Sequence, residues 1–79
     1  SKTYSFFMKV APTNKHYIEL MSYIKKKKGN VLDYRLDEST KNEKEIDCYL
    51  SIDMPAAIDE HRILKDLRNL PSVYFVGKR

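Results

Sequence analysis

The stretch Ile63-Leu64-Lys65-Asp66-Leu67-Arg68-Asn69-Leu70-Pro71-Ser72-Val73-Tyr74-Phe75-Val76 constrains this chain more than any other. Ile63, Leu64, Leu67 and Leu70 recur at helical spacing. Pro71 has no amide hydrogen and pushes its predecessor toward extended backbone, so the helix stops there. The β-branched and aromatic run Val73-Tyr74-Phe75-Val76 then suits a strand. A helix that runs straight into a final strand needs a sheet to receive that strand. The preceding residues read as building it.

Thr3 to Val10 is the first strand, with Tyr4, Phe6, Met8 and Val10 on one face and Ser5, Phe7 and Lys9 on the other. Pro12-Thr13-Asn14 follows as a turn, with Thr13 or Asn14 capping a helix from about Asn14 to Lys28. Its buried stripe reads as Tyr17, Leu20, Met21 and Ile24, and Gly29 suits the left-handed position beyond it. Asn30 to Asp37 is a half-buried second strand. Glu38 to Lys44 is a polar hairpin loop without the Asn-Gly or Asp-Gly of a two-residue turn.

Glu45 to Ile52 is the third strand, with Ile46, Cys48, Leu50 and Ile52 facing one way and Asp47, Tyr49 and Ser51 the other. Asp53 reads as the cap of a second helix, with Pro55 in its first turn and its end near Asn69. The fourth strand is Val73 to Gly77, with Val73 and Phe75 inward and Tyr74 and Val76 outward. The order β-α-β-β-α-β with right-handed crossovers predicts an α+β, ferredoxin-like fold: a four-stranded antiparallel sheet with two helices on one face. All 79 residues form one domain. Its thin core favours association, and a chain that opens on Ser1 reads as part of a larger protein.

The residues exclude most catalytic chemistry. There is no zinc spacing, no C-x-x-C, no nucleophile elbow and no phosphate loop, and the only glycines are Gly29 and Gly77. His16 and His61 read as solvated helix residues, Cys48 as a buried apolar one, and Asp33, Asp37 and Glu38 as a wet strand edge. The chain is expected to be no enzyme and to carry no metal or cofactor. Nor is there a run of about 18 apolar residues that would span a bilayer.

Two surfaces remain. The uncovered sheet face carries Phe7, Tyr49, Tyr74 and Val76 and reads as a surface for self-association or for another protein. Aromatics on central strands also resemble an RNA-stacking sheet. The acids Asp33, Asp37 and Asp47 and the missing glycine-aromatic signature disfavour nucleic acid. The second surface is Lys25, Lys26, Lys27 and Lys28. Asn14 to Gly29 holds five basic residues and one acid, the whole net charge of +4, since the rest has ten of each. The run suits the negative end of the helix dipole and also suits an anionic contact such as an acidic lipid surface.

Two local motifs, Lys28-Gly29-Asn30-Val31 before strand two and Leu67-Arg68-Asn69-Leu70-Pro71-Ser72-Val73 before strand four, resemble those of ACT-like regulatory domains. Within that group the leucine-x-x-leucine-proline-x-valine ending is most similar to the C-terminal cytoplasmic domain of the MgtC/SapB family. The resemblance implies a soluble regulatory tail at the inner face of a bacterial membrane, behind a bundle of membrane helices, in proteins linked to low magnesium and virulence. ACT domains that bind amino acids carry a glycine in the loop after strand one. Here that loop is Ala11-Pro12-Thr13-Asn14-Lys15, and closeness of backbone to effector is hindered. An amino-acid or nucleotide effector, if bound, is expected at Thr13 and Asn14.

Overall fold

The computed structural model describes residues 1–79. Its elements are β1 (Lys2–Val10), α1 (Asn14–Lys26), β2 (Asn30–Asp37), a single 3-10 turn (Glu38–Thr40), β3 (Ile46–Met54), α2 (Glu60–Arg68) and β4 (Val73–Lys78). The strands form one antiparallel sheet in the order β2-β3-β1-β4. The expected ferredoxin-like plan is therefore present, with β1 and β3 central.

Period-two alternation makes one sheet face apolar, and both helices lie on it. Phe6, Met8 and Val10 of β1, and Ile46, Cys48, Leu50, Ile52 and Met54 of β3, are all buried against Leu20 and Ile24 of α1 and Ile63 and Leu67 of α2. Burying such side chains is the main stabilising contribution, roughly 1.5–3 kcal/mol for each large one. Leu64 and Leu70 pack against the edge of this core. The turn into β4 is tied to α1: the Glu19 carboxylate accepts from the Ser72 amide at 2.8 Å and from its hydroxyl at 2.9 Å.

Several local expectations are corrected. β3 continues through Met54, which is fully buried opposite Lys2, so Asp53 lies within the strand. α2 begins at Glu60, capped by Asp59, whose side chain accepts from the Arg62 amide at 2.8 Å; Pro55 belongs to the preceding turn. Two cap-like acids six positions apart compete here, and the inward-facing Met54 decides between them.

In α1 the buried stripe is His16, Leu20 and Ile24, four residues apart each time, and Tyr17 is exposed. The helix stops at Lys26, and Lys28 rather than Gly29 takes the left-handed conformation, at φ 62°. Gly29 is needed for space instead: a Cβ there would lie 2.9 Å from the Asp53 carbonyl oxygen and against Met54.

The last correction concerns β4. Lys9 pairs with Phe75 but Val10 pairs with Val73, so Tyr74 is an extra, bulged residue. The bulge resets the alternation. Val76 is therefore buried in the core, and Phe75, half exposed, is on the open face in its place.

Candidate functional site

The open face of the sheet is built from register. Phe7 on β1 lies directly between Tyr49 on β3 and Gly77 on β4, and Tyr49 in turn lies opposite Arg35 on β2. Directly opposed residues share a face, so these side chains form one row across the sheet. The Phe7 and Tyr49 ring centroids are 5.3 Å apart, and those of Phe7 and Phe75 are 6.1 Å apart. Gly77 leaves room for this: a Cβ there would sit 3.2 Å from the Phe75 ring.

Two guanidinium groups lie over the Tyr49 ring, Arg35 at 4.5 Å and Arg79 at 4.8 Å from its centroid. Such cation–π contacts orient a guanidinium without neutralising it, and neither arginine is in an ion pair. Lys9, next along β1, is neutralised: its ammonium is 3.0 Å from Asp47 and 3.4 Å from Glu45, and the hydrogen bond to Asp47 holds its pKa above the ordinary lysine value. Asp33 and Asp53 also lie on the face, opposite Ser51 and Thr3. Asp37, opposite Asp47, is on this face too and accepts from Ser39, so the face has an aromatic centre, two cations and three carboxylates outside any ion pair.

Of the four residues expected on this surface, Phe7 and Tyr49 are brought together there. Tyr74 is exposed at the bulge, outside the row of rings, and Val76 is in the core. Sequence reasoning missed Phe75, Arg35 and Arg79. Phe75 was hidden by the bulge. The two arginines depend on the pairing of β2 with β3 and on the Arg79 amide, which donates to the Ser5 carbonyl at 3.0 Å beside β1.

Thr13 and Asn14 line a different site. A cleft of about 190 Å³ lies between the start of α1 and the 3-10 turn, with Pro12, Thr13, Asn14, His16, Glu38 and Lys41 in its walls. Thr13 caps α1, accepting from the Lys15 amide at 3.3 Å. His16 is not solvated: it is only 3% exposed, and its Nε2 is 2.7 Å from the Tyr34 hydroxyl. Its Nδ1 is buried and has no hydrogen-bond partner. The spacing His16-Leu20-Ile24 was the signal that this histidine faces inward.

The lysine run lies at the other end of α1. Lys25, Lys26 and Lys28 are exposed, Lys27 is half-buried, and none of the four is in an ion pair. Beside them the Tyr23 hydroxyl donates to Asp66 at 2.7 Å and ties α1 to α2. Cys48 is fully buried, and burial pushes its thiol up to about 12, away from thiolate chemistry. His61 is exposed, and no group of three or more histidine, cysteine or acidic side chains comes together. No helix is long and apolar enough to cross a membrane.

The fold has known counterparts. The ACT domain of the GTP pyrophosphokinase of Chlorobium tepidum is 16% identical, with a TM-score of 0.69 over 98% of this chain and 96% of that one. The C-terminal domain of the MgtC protein of Mycobacterium tuberculosis is 14% identical, with a TM-score of 0.68 over 95% of this chain and 82% of that one. No family model matches the sequence, and no curated protein matches it either. The expected ACT-like fold is thus shown.

Proposed function

We propose that this domain is a non-catalytic regulatory module that associates with a second copy of itself through the open face of its sheet. The observation that carries the reading is the exposed row Phe75–Phe7–Tyr49 on a face that neither helix covers. Its charges fit a copy of the same surface, since the unpaired Arg35 and Arg79 can meet the unpaired Asp33 and Asp53 of a two-fold mate. The same carboxylates oppose nucleic acid. Association would link two states of an attached domain, each favoured by one arrangement of the pair. In a dilution series by NMR, amide shifts confined to Phe7, Tyr49, Phe75 and their neighbours support this reading, and concentration-independent spectra oppose it.

The parent protein in this reading is an MgtC-type bacterial membrane protein linked to magnesium limitation and virulence, with the domain as its cytoplasmic tail. The likeness of fold to the MgtC C-terminal domain supports this. So does the unpaired Lys25–Lys28 run, which suits acidic head groups of the inner leaflet. The parent sequence before Ser1 tests it: a block of apolar helices fits, and a kinase, dehydrogenase or hydroxylase domain points to a different ACT-like protein.

One observation favours a second reading, a small-molecule effector site in the cleft at Thr13 and Asn14. A buried ring nitrogen without a partner, His16 Nδ1, belongs to a residue lining that cleft. Thermal unfolding against a panel of amino acids, nucleotides and organic acids tests it, because a ligand at about 100 times its Kd adds roughly 2.7 kcal/mol.

A further inference from the structure

We propose that the outward face of α1 docks lengthwise on an anionic lipid bilayer, with the Ile18 side chain entering the interface among the lysines that hold the head groups. The proposal rests on the reading of the lysine run as a contact for acidic head groups, and it adds the apolar element and the orientation.

The inward stripe of α1 is His16, Leu20 and Ile24. At 3.6 residues per turn, Ile18 and Ser22 are at the centre of the opposite side, and Lys15, Lys25 and Lys26 flank them. All five are exposed, and Ile18, at 61%, is the most exposed large hydrophobic residue of the chain. Beside it the surface continues as a groove of about 390 Å³ with apolar walls from Ile18, Tyr23 and Leu70.

The free charge on this side has one sign. Lys15, Lys25 and Lys26 are in no ion pair. Glu19 is the only acid of α1, and its two carboxylate oxygens are occupied by the Ser72 amide and hydroxyl. Asp66 of α2, which adjoins Lys26 and Lys27, accepts from Tyr23 and from Arg62. A cationic face centred on an aliphatic side chain is complementary to a surface that is anionic outside and apolar beneath, which is a bilayer containing acidic lipids. Head-group attraction alone leaves Ile18 in water. Its entry removes that apolar area from water and supplies the second signal that makes a polybasic contact hold. An acidic protein would match the lysines, but one isoleucine ringed by long flexible side chains offers it no extended apolar centre.

The orientation has a consequence for the rest of the molecule. Both helices lie on the covered side of the sheet. Docking through α1 therefore turns Phe7, Tyr49 and Phe75 away from the bilayer and leaves them free to associate.

The chain has no tryptophan, so Ile18→Trp supplies a single fluorescent reporter at an exposed position. With vesicles of phosphatidylcholine and phosphatidylserine its emission should shift to the blue and be quenched by lipids brominated on their acyl chains. With phosphatidylcholine alone it should do neither. Phe7→Trp, on the open face, should respond to neither vesicle. Ile18→Ser, with an unchanged circular dichroism spectrum, should weaken partition onto the acidic vesicles roughly tenfold, as expected for one aliphatic side chain left in water. Co-sedimentation of the wild type with acidic vesicles, together with an unshifted Ile18→Trp emission, keeps the lysine contact and overturns docking through this face. A blue shift of Phe7→Trp on those vesicles overturns the orientation. The same Ile18→Trp shift with soluble polyglutamate in place of vesicles assigns the face to an acidic protein and overturns the bilayer. Failure of the wild type to co-sediment at all removes the lysine reading itself, and the proposal with it.

Discussion

Phe7 and Tyr49 occupy directly opposed positions on the bare side of the sheet, with ring planes inclined by 55°. One residue earlier, Phe6 is fully buried under the helices. Adjacent phenylalanines thus belong to different surfaces, and their truncations should differ. Phe6→Ala should cost about 3–5 kcal/mol through the cavity it leaves. Phe7→Ala should cost about 1 kcal/mol, the order of a lost aromatic pair. Urea unfolding of both variants checks this, and equal losses would mean that Phe7 is a core residue.

The end of α1 makes a prediction of opposite signs at neighbouring positions. Lys28 holds a left-handed conformation that glycine adopts freely, so Lys28→Gly should stabilise the chain by up to about 1 kcal/mol. Gly29→Ala places a Cβ against the Asp53 carbonyl and Met54 and should destabilise by about 1–3 kcal/mol. Thermal midpoints of the two variants should move in opposite directions. Loss of stability in Lys28→Gly would contradict the geometry.

Alkaline pH should unfold the domain early. Burial pushes Cys48 up to about 12 from 9.0 and Tyr34 up to about 12 from 10.0. Burial, followed by the hydrogen bond to Asp66, pushes Tyr23 upward as well. In each case the folded state holds a proton that the unfolded chain releases. Their stabilising effect is complete below the unfolded values, 9.0 for cysteine and 10.0 for tyrosine, and is lost as pH rises toward the folded ones. Thermal midpoints should be flat from about pH 6 to 8 and fall steadily above about pH 9, with Cys48→Val removing the earliest part of the fall. A flat profile through about pH 11 would contradict the burial of these groups.

The lysine run predicts selective lipid binding. The chain should co-sediment with vesicles containing phosphatidylserine and not with phosphatidylcholine alone, and salt should release it. Changing Lys25, Lys26, Lys27 and Lys28 to glutamine should abolish binding, each lysine contributing about 1 kcal/mol near an anionic surface. Retention of the quadruple variant on acidic vesicles would remove this run as the contact.

The alternation of β1 and β3, the proline stop after α2 and the order of elements were legible in the residues, because each depends on local backbone geometry. β2 has the expected bounds, Asn30 and Asp37, but its register shifts between Val31 and Asp33, and Val31 and Leu32 are both exposed. What was not legible depends on pairing between distant segments. The bulge at Tyr74 shows only in the shift between Lys9–Phe75 and Val10–Val73, and it exchanges Val76 for Phe75 on the open face. The start of α2 turns on the burial of Met54 beneath a helix that sequence alone does not position. His16 lay at the right spacing for the core, but only the nearby Tyr34 hydroxyl makes its burial acceptable. Arg35 reaches Tyr49 from β2 and Arg79 reaches it from just beyond β4, across β1, so their convergence emerges only from the assembled sheet.

Sedimentation velocity of the wild type and of Phe7→Glu, over a series of rising concentrations, bears most directly on association through the open face. The wild type should shift from monomer toward dimer as concentration rises. Phe7→Glu, with an unchanged circular dichroism spectrum, should remain monomeric throughout. A wild-type chain that stays strictly monomeric at the highest concentration reached would contradict the account, and so would a Phe7→Glu variant that dimerises as readily as the wild type.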